Sequence, residues 1–233
     1  MSANKYGTLL TIVLIVIIIA ILGGIAFLVY NNFIKPENDK NRKIEAFAEL
    51  DKNAEEIEDK EQEQEEVEEE NNEEENNNTI IGGPTQENTD NTKPTKKKTY
   101  YNGFVMIGYI TIPKTNVKEP ILNVVTPESL NTAVAVLYPS NPQLNKPGNV
   151  VIIGHNYRNG QFFSNNKKLS LGDKIKIKGT DGTELTYTIY EIFETSEQDT
   201  SFYNRDTKGA IEITLSTCTD DSNARTIILA RVE

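Results

Sequence analysis

The sequence predicts a mainly β fold, a closed or nearly closed β-barrel with one or two short helices, preceded by a transmembrane helix and a disordered acidic linker. Short β-branched runs separated by Gly, Pro, Asn and Asp fill the C-terminal part of the chain. An uncharged apolar stretch lies near the N-terminus, and a segment rich in Glu, Asn, Gln and Lys lies between the two. The predicted parts are a short tail 1–7, a membrane anchor 8–30, an acidic tether 31–99 and a barrel domain 100–233.

The first element is the apolar stretch from Thr8 to Tyr30, inside a segment, 7–34, without a charged residue. About 20 such residues cross the hydrocarbon core of a bilayer, so we predict an uncleaved signal anchor. A cleaved secretory signal is the alternative, because residues 24–26 (Gly-Ile-Ala) have the small-x-small pattern of a cleavage site. The apolar run continues beyond that site, which is too long for a typical signal.

The charges that flank the anchor do not place the C-terminal side outside the cell. One flank carries Lys5 and the α-amine, and the other carries four basic residues, Lys35, Lys40, Arg42 and Lys43. This count alone would put the C-terminal side in the cytoplasm. Long domains cross the membrane regardless of nearby charge, and we predict an extracellular domain on the functional grounds given below.

The acidic tether carries most of the net charge of −11. Between residues 51 and 75, fifteen Asp and Glu stand against two Lys, so the rest of the chain is near neutral and has no basic face for nucleic acid. The segment has few large apolar residues, and we therefore predict a disordered, extended spacer. One short amphipathic helix near the membrane is predicted from Ile44, Phe47, Leu50 and Ile57.

The barrel domain shows alternating or continuous apolar runs that end at turn residues. A short helix begins at Thr126, which can cap it, with Pro127 at the first helical position. A hairpin turn is predicted at Asp181 and Gly182. Roughly seven or eight short strands with one small helix predict the barrel. The predicted strands cover residues 108–112, 121–125, 150–153, 174–178, 185–193, 210–218 and 225–230.

The chain has one cysteine and one histidine, and each lies at the end of an apolar strand. Cys218 ends one strand, His155 follows another, and Arg225 begins the last. A thiol is mostly protonated at neutral pH and needs a neighbour that favours the thiolate. An imidazole can supply that charge and later protonate a leaving amine, and a guanidinium can bind a developing oxyanion. Because 219–224 is a short loop, antiparallel pairing would bring Arg225 next to Cys218.

Each of these residues alone has an ordinary explanation. A free cysteine is most often a small buried apolar side chain, and a lone histidine is most often a surface or capping residue. An arginine is usually solvated. Their joint occurrence at strand ends favours a cysteine acyl-transfer site. A single thiol also excludes an internal disulfide.

These residues resemble the sortase family. The run from Thr214 to Cys218, with Arg225 downstream, resembles the cysteine motif of sortases, and 154–156 (Gly-His-Asn) is similar to their catalytic-histidine turn. The segments 108–113 and 169–173 resemble the family's opening strand and the segment after the histidine. The resemblance covers about residues 103–232.

The resemblance implies an eight-stranded sortase-type β-barrel and a membrane-anchored cysteine transpeptidase that acts outside the cell. Cys218 matches the nucleophile, His155 the general acid and base, and Arg225 the residue that binds the oxyanion and positions the substrate. Thr217 and Asn156 match positions that we assign to substrate binding. The implied substrates are surface proteins with a C-terminal Leu-Pro-x-Thr-Gly-like sorting signal. The implied acceptor is an amine of a lipid-linked peptidoglycan precursor or of a pilin lysine.

The subclass within the family is not resolved by the sequence. The Ser-Thr-Cys and Gly-His-Asn motifs are similar to class B sortases, whereas segment 194–209 is too short for the helical insertion of that class. No cofactor is expected; some sortases bind calcium near the barrel loops, and the candidates here are Glu194, Glu197 and Asp199, where we favour a solvated acidic loop. Two other functions stay open: a non-catalytic surface binding module on a tether, and a cysteine hydrolase of peptidoglycan.

Overall fold

A computed structural model describes residues 3–74 and 97–233, with side chains described for residues 9–57 and 97–233. The chain divides into two compact units, Met1–Glu45 and Ala46–Glu233. One helix, Lys35–Glu74, contributes residues to both units, and the barrel lies wholly in the second.

The first unit is helical and apolar. Helix α1 spans Ala3–Val29 and is followed by a π-helical turn, Tyr30–Ile34. The large apolar side chains described along α1 are exposed, and the most apolar 18-residue window has a mean hydropathy of 3.4. A helix satisfies its own backbone hydrogen bonds, so such a surface suits the interior of a bilayer. The helix contains most of the predicted anchor 8–30 and is long enough to cross a membrane.

Helix α2 spans Lys35–Glu74, a region for which the composition predicts a disordered tether. The predicted short amphipathic helix is therefore part of a longer one. Glu, Lys, Gln and Ala have high helix propensity, and a row of apolar side chains from Ala46 onward is buried. Both effects favour a helix despite the acidic composition. The predicted tether from residue 75 to residue 96 lies outside the described residues.

The second unit contains a β-barrel that closes through its second strand. Strand β2 pairs with β3 along one side and with β6 along the other. The ring therefore runs β2-β3-β4-β5-β8-β9-β7-β6 and returns to β2, while β1 pairs with β2 outside the ring. This confirms the eight-stranded barrel. The strands in chain order are β1 Thr99–Tyr101, β2 Phe104–Ile112, β3 Val117–Leu122, β4 Val134–Tyr138, β5 Gly148–Ile153, β6 Lys174–Gly179, β7 Glu184–Thr195, β8 Ile211–Cys218 and β9 Arg225–Val232.

The observed strands differ from the predicted ones mainly at Pro120 and in two short strands that the sequence pattern does not predict. The sequence pattern predicts a strand at 121–125 that follows Pro120, whereas β3 includes Pro120 and ends at Leu122. Proline is tolerated because β4 pairs with β3 only at Ile121 and Leu122, so the Pro120 nitrogen needs no partner on that side. Strands β1 and β4 have no counterpart among the predicted strands. The predicted short helix is α3, Pro127–Leu130, and the Thr126 side chain accepts from the Ser129 amide as expected of a cap.

The barrel interior is filled by aliphatic and aromatic side chains from all eight strands of the ring. Ile110, Ile152, Ile177 and Leu215 have no exposed surface. Glycine is required at position 108, because a Cβ there would collide with the Lys178 carbonyl oxygen across the β2–β6 pair. The close approach of β2 and β6 at this point therefore depends on glycine at position 108.

Residues 46–54 of α2, which we call the docked segment, pack on the outside of the barrel. The buried apolar side chains are Ala46, Phe47, Leu50 and Ala54, spaced as on one face of a helix. The first three of these join a cluster with Tyr101, Met106, Tyr109 and Leu122 of β1, β2 and β3. The docked segment is thus part of the folded domain.

Polar contacts fix the docked segment in place. Asp51 forms an ion pair of 2.9 Å with Lys178 of β6, and this hydrogen bond raises the pKa of the lysine. Asn53 Nδ2 donates to Thr99 Oγ1 at 2.9 Å. The Lys118 ammonium lies 4.8 Å from the centroid of the Phe47 ring, within the range of a cation–π contact.

Candidate active site

Cys218 and Arg225 face each other at the end of the β8–β9 pair. The two strands are antiparallel with Cys218 opposite Arg225, and the turn between them is closed by the Thr219 amide donating to Ala224 O at 3.0 Å. Arg225 Nη1 donates to Cys218 Sγ at 3.1 Å, and both residues are half-buried. The predicted contact between guanidinium and thiol is confirmed.

The second nitrogen of the guanidinium contacts the loop between β7 and β8. Arg225 Nη2 lies 3.3 Å from Glu197 Oε1. The Glu197 side chain is 67% exposed, so this ion pair contributes little stability by itself. It does hold the planar fork between a carboxylate and the thiol, which limits the orientations that the guanidinium can take.

Two of the acidic residues considered for calcium have partners within the protein. Glu197 is the partner of Arg225, and Asp199 accepts hydrogen bonds from Thr195 Oγ1 at 2.6 Å and the Ser201 amide at 2.8 Å. These bonds lower the pKa of the Asp199 carboxyl. Within residues 9–57 and 97–233, no three His, Cys, Asp or Glu side chains are grouped to hold a metal ion.

His155 lies at the same end of the barrel as Cys218. Strands β5 and β8 are parallel with Ile153 opposite Ser216, so their carboxyl ends meet at one edge. The Gly154 amide donates to Ser216 O at 3.3 Å and extends the pairing by one residue. Glycine is needed at 154, because a Cβ would lie 2.8 Å from Val134 Cγ1 and 2.9 Å from Phe163 Cδ2.

The imidazole of His155 stacks on Tyr157, with ring centroids 4.8 Å apart and an interplanar angle of 28°. Burial lowers the pKa of His155 below its ordinary 6.5, and the positive charge of Arg225 lowers it further. The imidazole is therefore mostly uncharged at neutral pH. The cation in contact with the thiol is the guanidinium, whereas the sequence pattern predicts that the imidazole supplies that charge.

Thr217 joins the cysteine strand to the histidine strand. Its hydroxyl donates to Gly154 O at 2.8 Å, and the residue is only 3% exposed. The residue before the cysteine is thus bonded to the residue before the histidine. The family resemblance predicts that this position binds substrate; in the structure its hydroxyl is used inside the protein.

Asn156 connects the same two segments on the other side of His155. Its Nδ2 donates to Cys218 O at 3.0 Å and to Asp220 Oδ1 at 3.0 Å. Asp220 Oδ2 also accepts from Lys167 Nζ at 2.5 Å. Asp220 and Lys167 are not among the predicted site residues, although an acidic pair directly after the cysteine strand is a signal that points to this turn.

A cavity of about 160 Å³ opens beside the thiol. It is large enough for a side chain of a bound peptide and polar on one side. Its lining includes both predicted substrate-binding residues: Asn156, Phe163, Lys167, Glu194, Thr217, Cys218, Thr219, Asp220 and Thr226. A larger cavity of about 340 Å³ lies at the other end of β5, around Gly148 and Asn149, and contains none of the predicted site residues. Because Cys218 lines the smaller cavity and His155 and Arg225 lie at the same end of the barrel, we take this end as the candidate site.

A closed barrel with a thiol, a guanidinium and an imidazole at one end of its strands has the groups that a cysteine acyl-transfer site needs. The model of the family described as Sortase domain matches residues 110–233, which is more than half of the chain. The chain belongs to the sortase family. No curated protein matches it.

Solved structures of sortases are similar to the barrel. A sortase D5 transpeptidase of Clostridium perfringens is 32% identical with a TM-score of 0.50, and the match covers 55% of this chain and 79% of that one. Sortase A of Corynebacterium diphtheriae is 27% identical with a TM-score of 0.51 and coverages of 56% and 62%. Sortase C1 of GBS pilus island 1 is 24% identical with a TM-score of 0.50 and coverages of 55% and 64%, a likeness of fold. The chain matches less than two thirds of the length of the last two.

Proposed function

We propose that the protein is a membrane-anchored cysteine transpeptidase that cleaves a C-terminal Leu-Pro-x-Thr-Gly-like sorting signal and transfers the acyl part to an amine. The observation that carries this proposal is the 3.1 Å contact between Arg225 Nη1 and Cys218 Sγ. A guanidinium in contact with the sulfur lies close to the carbon that the sulfur attacks, where it can stabilise an oxyanion.

The first half-reaction forms the thioacyl enzyme. The Cys218 thiolate attacks the carbonyl carbon of the Thr–Gly peptide bond, and the carbonyl electron pair moves onto oxygen. The Arg225 guanidinium stabilises this oxyanion. When the oxyanion collapses, the C–N bond breaks and the leaving Gly amine takes a proton from His155. The imidazole must be protonated for this step. It receives that proton from the Cys218 thiol as the thiolate forms.

The second half-reaction releases the product. The acceptor amine gives a proton to the neutral imidazole as it attacks the thioester carbon, and the C–S bond breaks. The sulfur leaves as a thiolate beside Arg225, so the site returns to its starting charge. Thr217 and Asn156 line the cavity beside the thiol, where we place part of the sorting signal. No cofactor is needed for these two half-reactions.

The proposed location follows from α1 and from the substrate class. Surface proteins carry their sorting signals across the membrane, so the barrel would face the outside and α1 would hold it at the membrane. The natural acceptor would be an amine of a lipid-linked peptidoglycan precursor or a pilin lysine. Similarity of the fold to sortases of several classes is compatible with either acceptor.

Incubation of the detergent-solubilised chain with a library of sorting-signal peptides and an amine acceptor, followed by mass spectrometry, tests the proposal. We expect a thioacyl adduct on Cys218, a released C-terminal fragment and an amide product. Cys218→Ala should form no adduct. Release of free acid at the same rate with and without amine would instead identify a hydrolase. Peptide binding without any adduct, together with a Cys218 thiol inert to alkylation, would identify a binding module.

A further inference from the structure

We propose that Asn156 and Asp220 form a positioning latch that holds the segment after His155 against the end of the cysteine strand. The inference rests on the transpeptidation proposed above. Neither residue touches the reacting atoms in this scheme. The latch acts by fixing where the imidazole lies relative to the thiol.

The need for a latch arises because both reactive residues lie where the sheet ends. Strand β5 ends at Ile153 and β8 ends at Cys218, so main-chain pairing between these two strands does not reach His155 or Thr219. The last main-chain bond between these two strand ends is from the Gly154 amide to Ser216 O. Beyond it, side chains have to connect the segments if the imidazole and the thiol are to keep a fixed separation.

The Asn156 amide is suited to this connection. Its Nδ2 donates both of its protons, one to the carbonyl of Cys218 and one to Oδ1 of Asp220, each at 3.0 Å. Its Oδ1 accepts from the Arg158 amide at 3.1 Å. Because both partners of Nδ2 are acceptors and the partner of Oδ1 is a donor, the amide has only one orientation that satisfies all three bonds.

Asp220 adds a third segment to the connection. Its Oδ1 accepts from Asn156, and its Oδ2 accepts from Lys167 Nζ at 2.5 Å. These bonds lower the pKa of the Asp220 carboxyl, so it stays ionised at neutral pH. The Lys167–Asp220 pair is about half exposed and contributes little to stability, but it fixes the rotamer in which Oδ1 reaches Asn156.

A second side-chain contact connects the segment after His155 to the turn after Cys218. Arg158 Nη2 donates to Ser222 Oγ at 2.8 Å, so the residue three positions after the histidine is tied to the same turn as Asp220. A small misplacement of a catalytic group can lower a rate by about 10²-fold. A latch built from several such contacts at this place would therefore act on kcat.

The test compares Asn156→Ala and Asp220→Ala with a matched control, Asp221→Ala. Asp221 lies in the same turn, but its carboxylate accepts hydrogen bonds from the turn residues Thr219 and Asn223. The control therefore reports what damage to the turn alone does. Asp220→Asn keeps one oxygen that can accept from Asn156 but loses the acceptor and the charge that face Lys167, so its loss should lie between those of wild type and Asp220→Ala.

We expect kcat for thioacyl formation to fall about tenfold or more in Asn156→Ala and Asp220→Ala. KM changes as well, because both residues line the cavity beside the thiol. The double variant should lose about as much kcat as either single variant, because each substitution already removes the same latch. The latch is overturned if Asp221→Ala loses as much kcat as Asp220→Ala, if only KM changes, or if the two losses multiply.

A readout that does not depend on the substrate separates failure of the latch from failure of the proposed function. His155 is the only histidine, so its ring resonances in an NMR spectrum of the full chain in detergent need no assignment. Asp220→Ala should shift or broaden them, and Asp221→Ala should leave them in place. Identical His155 resonances in wild type and Asp220→Ala would overturn the latch whether or not a sorting-signal peptide is cleaved.

Discussion

The thiol of Cys218 and the guanidinium of Arg225 are partners in the last register pair of β8 and β9, with 3.1 Å between Sγ and Nη1. This places a guanidinium, a planar group with several N–H donors, in contact with the sulfur. The contact is made by one nitrogen of the fork, while the other nitrogen is held by Glu197 at 3.3 Å. The site therefore depends on the planar shape of the guanidinium as well as on its charge.

Replacement of Arg225 by lysine should lower kcat/KM for sorting-signal cleavage by about 10²- to 10³-fold, because a single ammonium cannot reach sulfur, oxyanion and Glu197 together. Steady-state kinetics with a quenched fluorescent peptide would measure the loss. Arg231→Lys is the control: Arg231 lies at the other end of β9, with its guanidinium 5.2 Å from the ring centroid of Tyr190. Near-wild-type turnover of Arg225→Lys would contradict the role assigned to the fork.

The pKa of His155 should be measurably below 6.5, because the imidazole is partly buried and close to a cation. Removing the cation in Arg225→Ala should raise the pKa toward 6.5 without fully restoring it, since burial is the larger cause. An NMR titration of the single histidine measures both values. A pKa at or above 6.5 in the wild-type chain would contradict the described environment.

The same shift has a consequence for stability. The folded-state pKa of His155 is lower than that of the unfolded chain, so the unfolded state binds a proton first as the pH falls. The contribution of His155 to the free energy of unfolding should therefore be constant above about pH 7 and decrease as the pH falls below 6.5. Urea unfolding of wild type and His155→Gln between about pH 5 and 8, which brackets the histidine pKa, should show a steeper acid-side loss in the wild type. Parallel pH profiles of the two proteins would contradict the shift.

Leu50→Ala should lower the free energy of unfolding of the barrel by about 2–5 kcal/mol, because Leu50 is 1% exposed in the cluster between the docked segment and the strands. Denaturant unfolding followed by the tyrosine signal would measure the change. Glu49→Ala, one residue away on the exposed side of the same helix, should change it little. Equal behaviour of the two variants would show that the segment does not pack on the barrel in solution.

Thr217→Val should cost about 1–3 kcal/mol of stability, because it leaves Gly154 O buried without its hydrogen bond. We also expect a lower kcat, since the bond joins the residues that precede the thiol and the imidazole. Thr217→Ser keeps the hydroxyl and should restore most of both quantities. If valine and serine behave alike in unfolding and peptide cleavage, the hydrogen bond has no such role.

The central contact of the site could be predicted from the sequence because its geometry is local. A six-residue turn between two apolar strands favours pairing of the residues that flank it, and Cys218 and Arg225 are those residues. The position of His155 at the same barrel end needs the parallel pairing of β5 and β8, which are almost sixty residues apart. The family resemblance predicts that His155 lies near Cys218, whereas hydrophobic periodicity alone does not.

The packing of the docked segment could not be predicted from composition. The apolar spacing puts Ile44, Phe47 and Leu50 on one amphipathic helix, but Ile44 is 55% exposed, whereas Phe47 is 7% exposed. Which apolar side chains are buried depends on Tyr101 and Tyr109, which lie more than fifty residues downstream. The roles of Asp220 and Lys167 escape the sequence for the same reason, since the partner of each lies in a distant loop.

The ion pair between Asp51 and Lys178 joins the docked segment to the strand pair that closes the barrel. Lys178 and Tyr109 are opposite each other in the β2–β6 pair that closes the ring, and the docked segment contacts both. In the order of the ring, β8 is the strand farthest from β2. Removing the ion pair would therefore act on the closure of the ring, on the opposite side of the barrel from the strand that holds the sulfur.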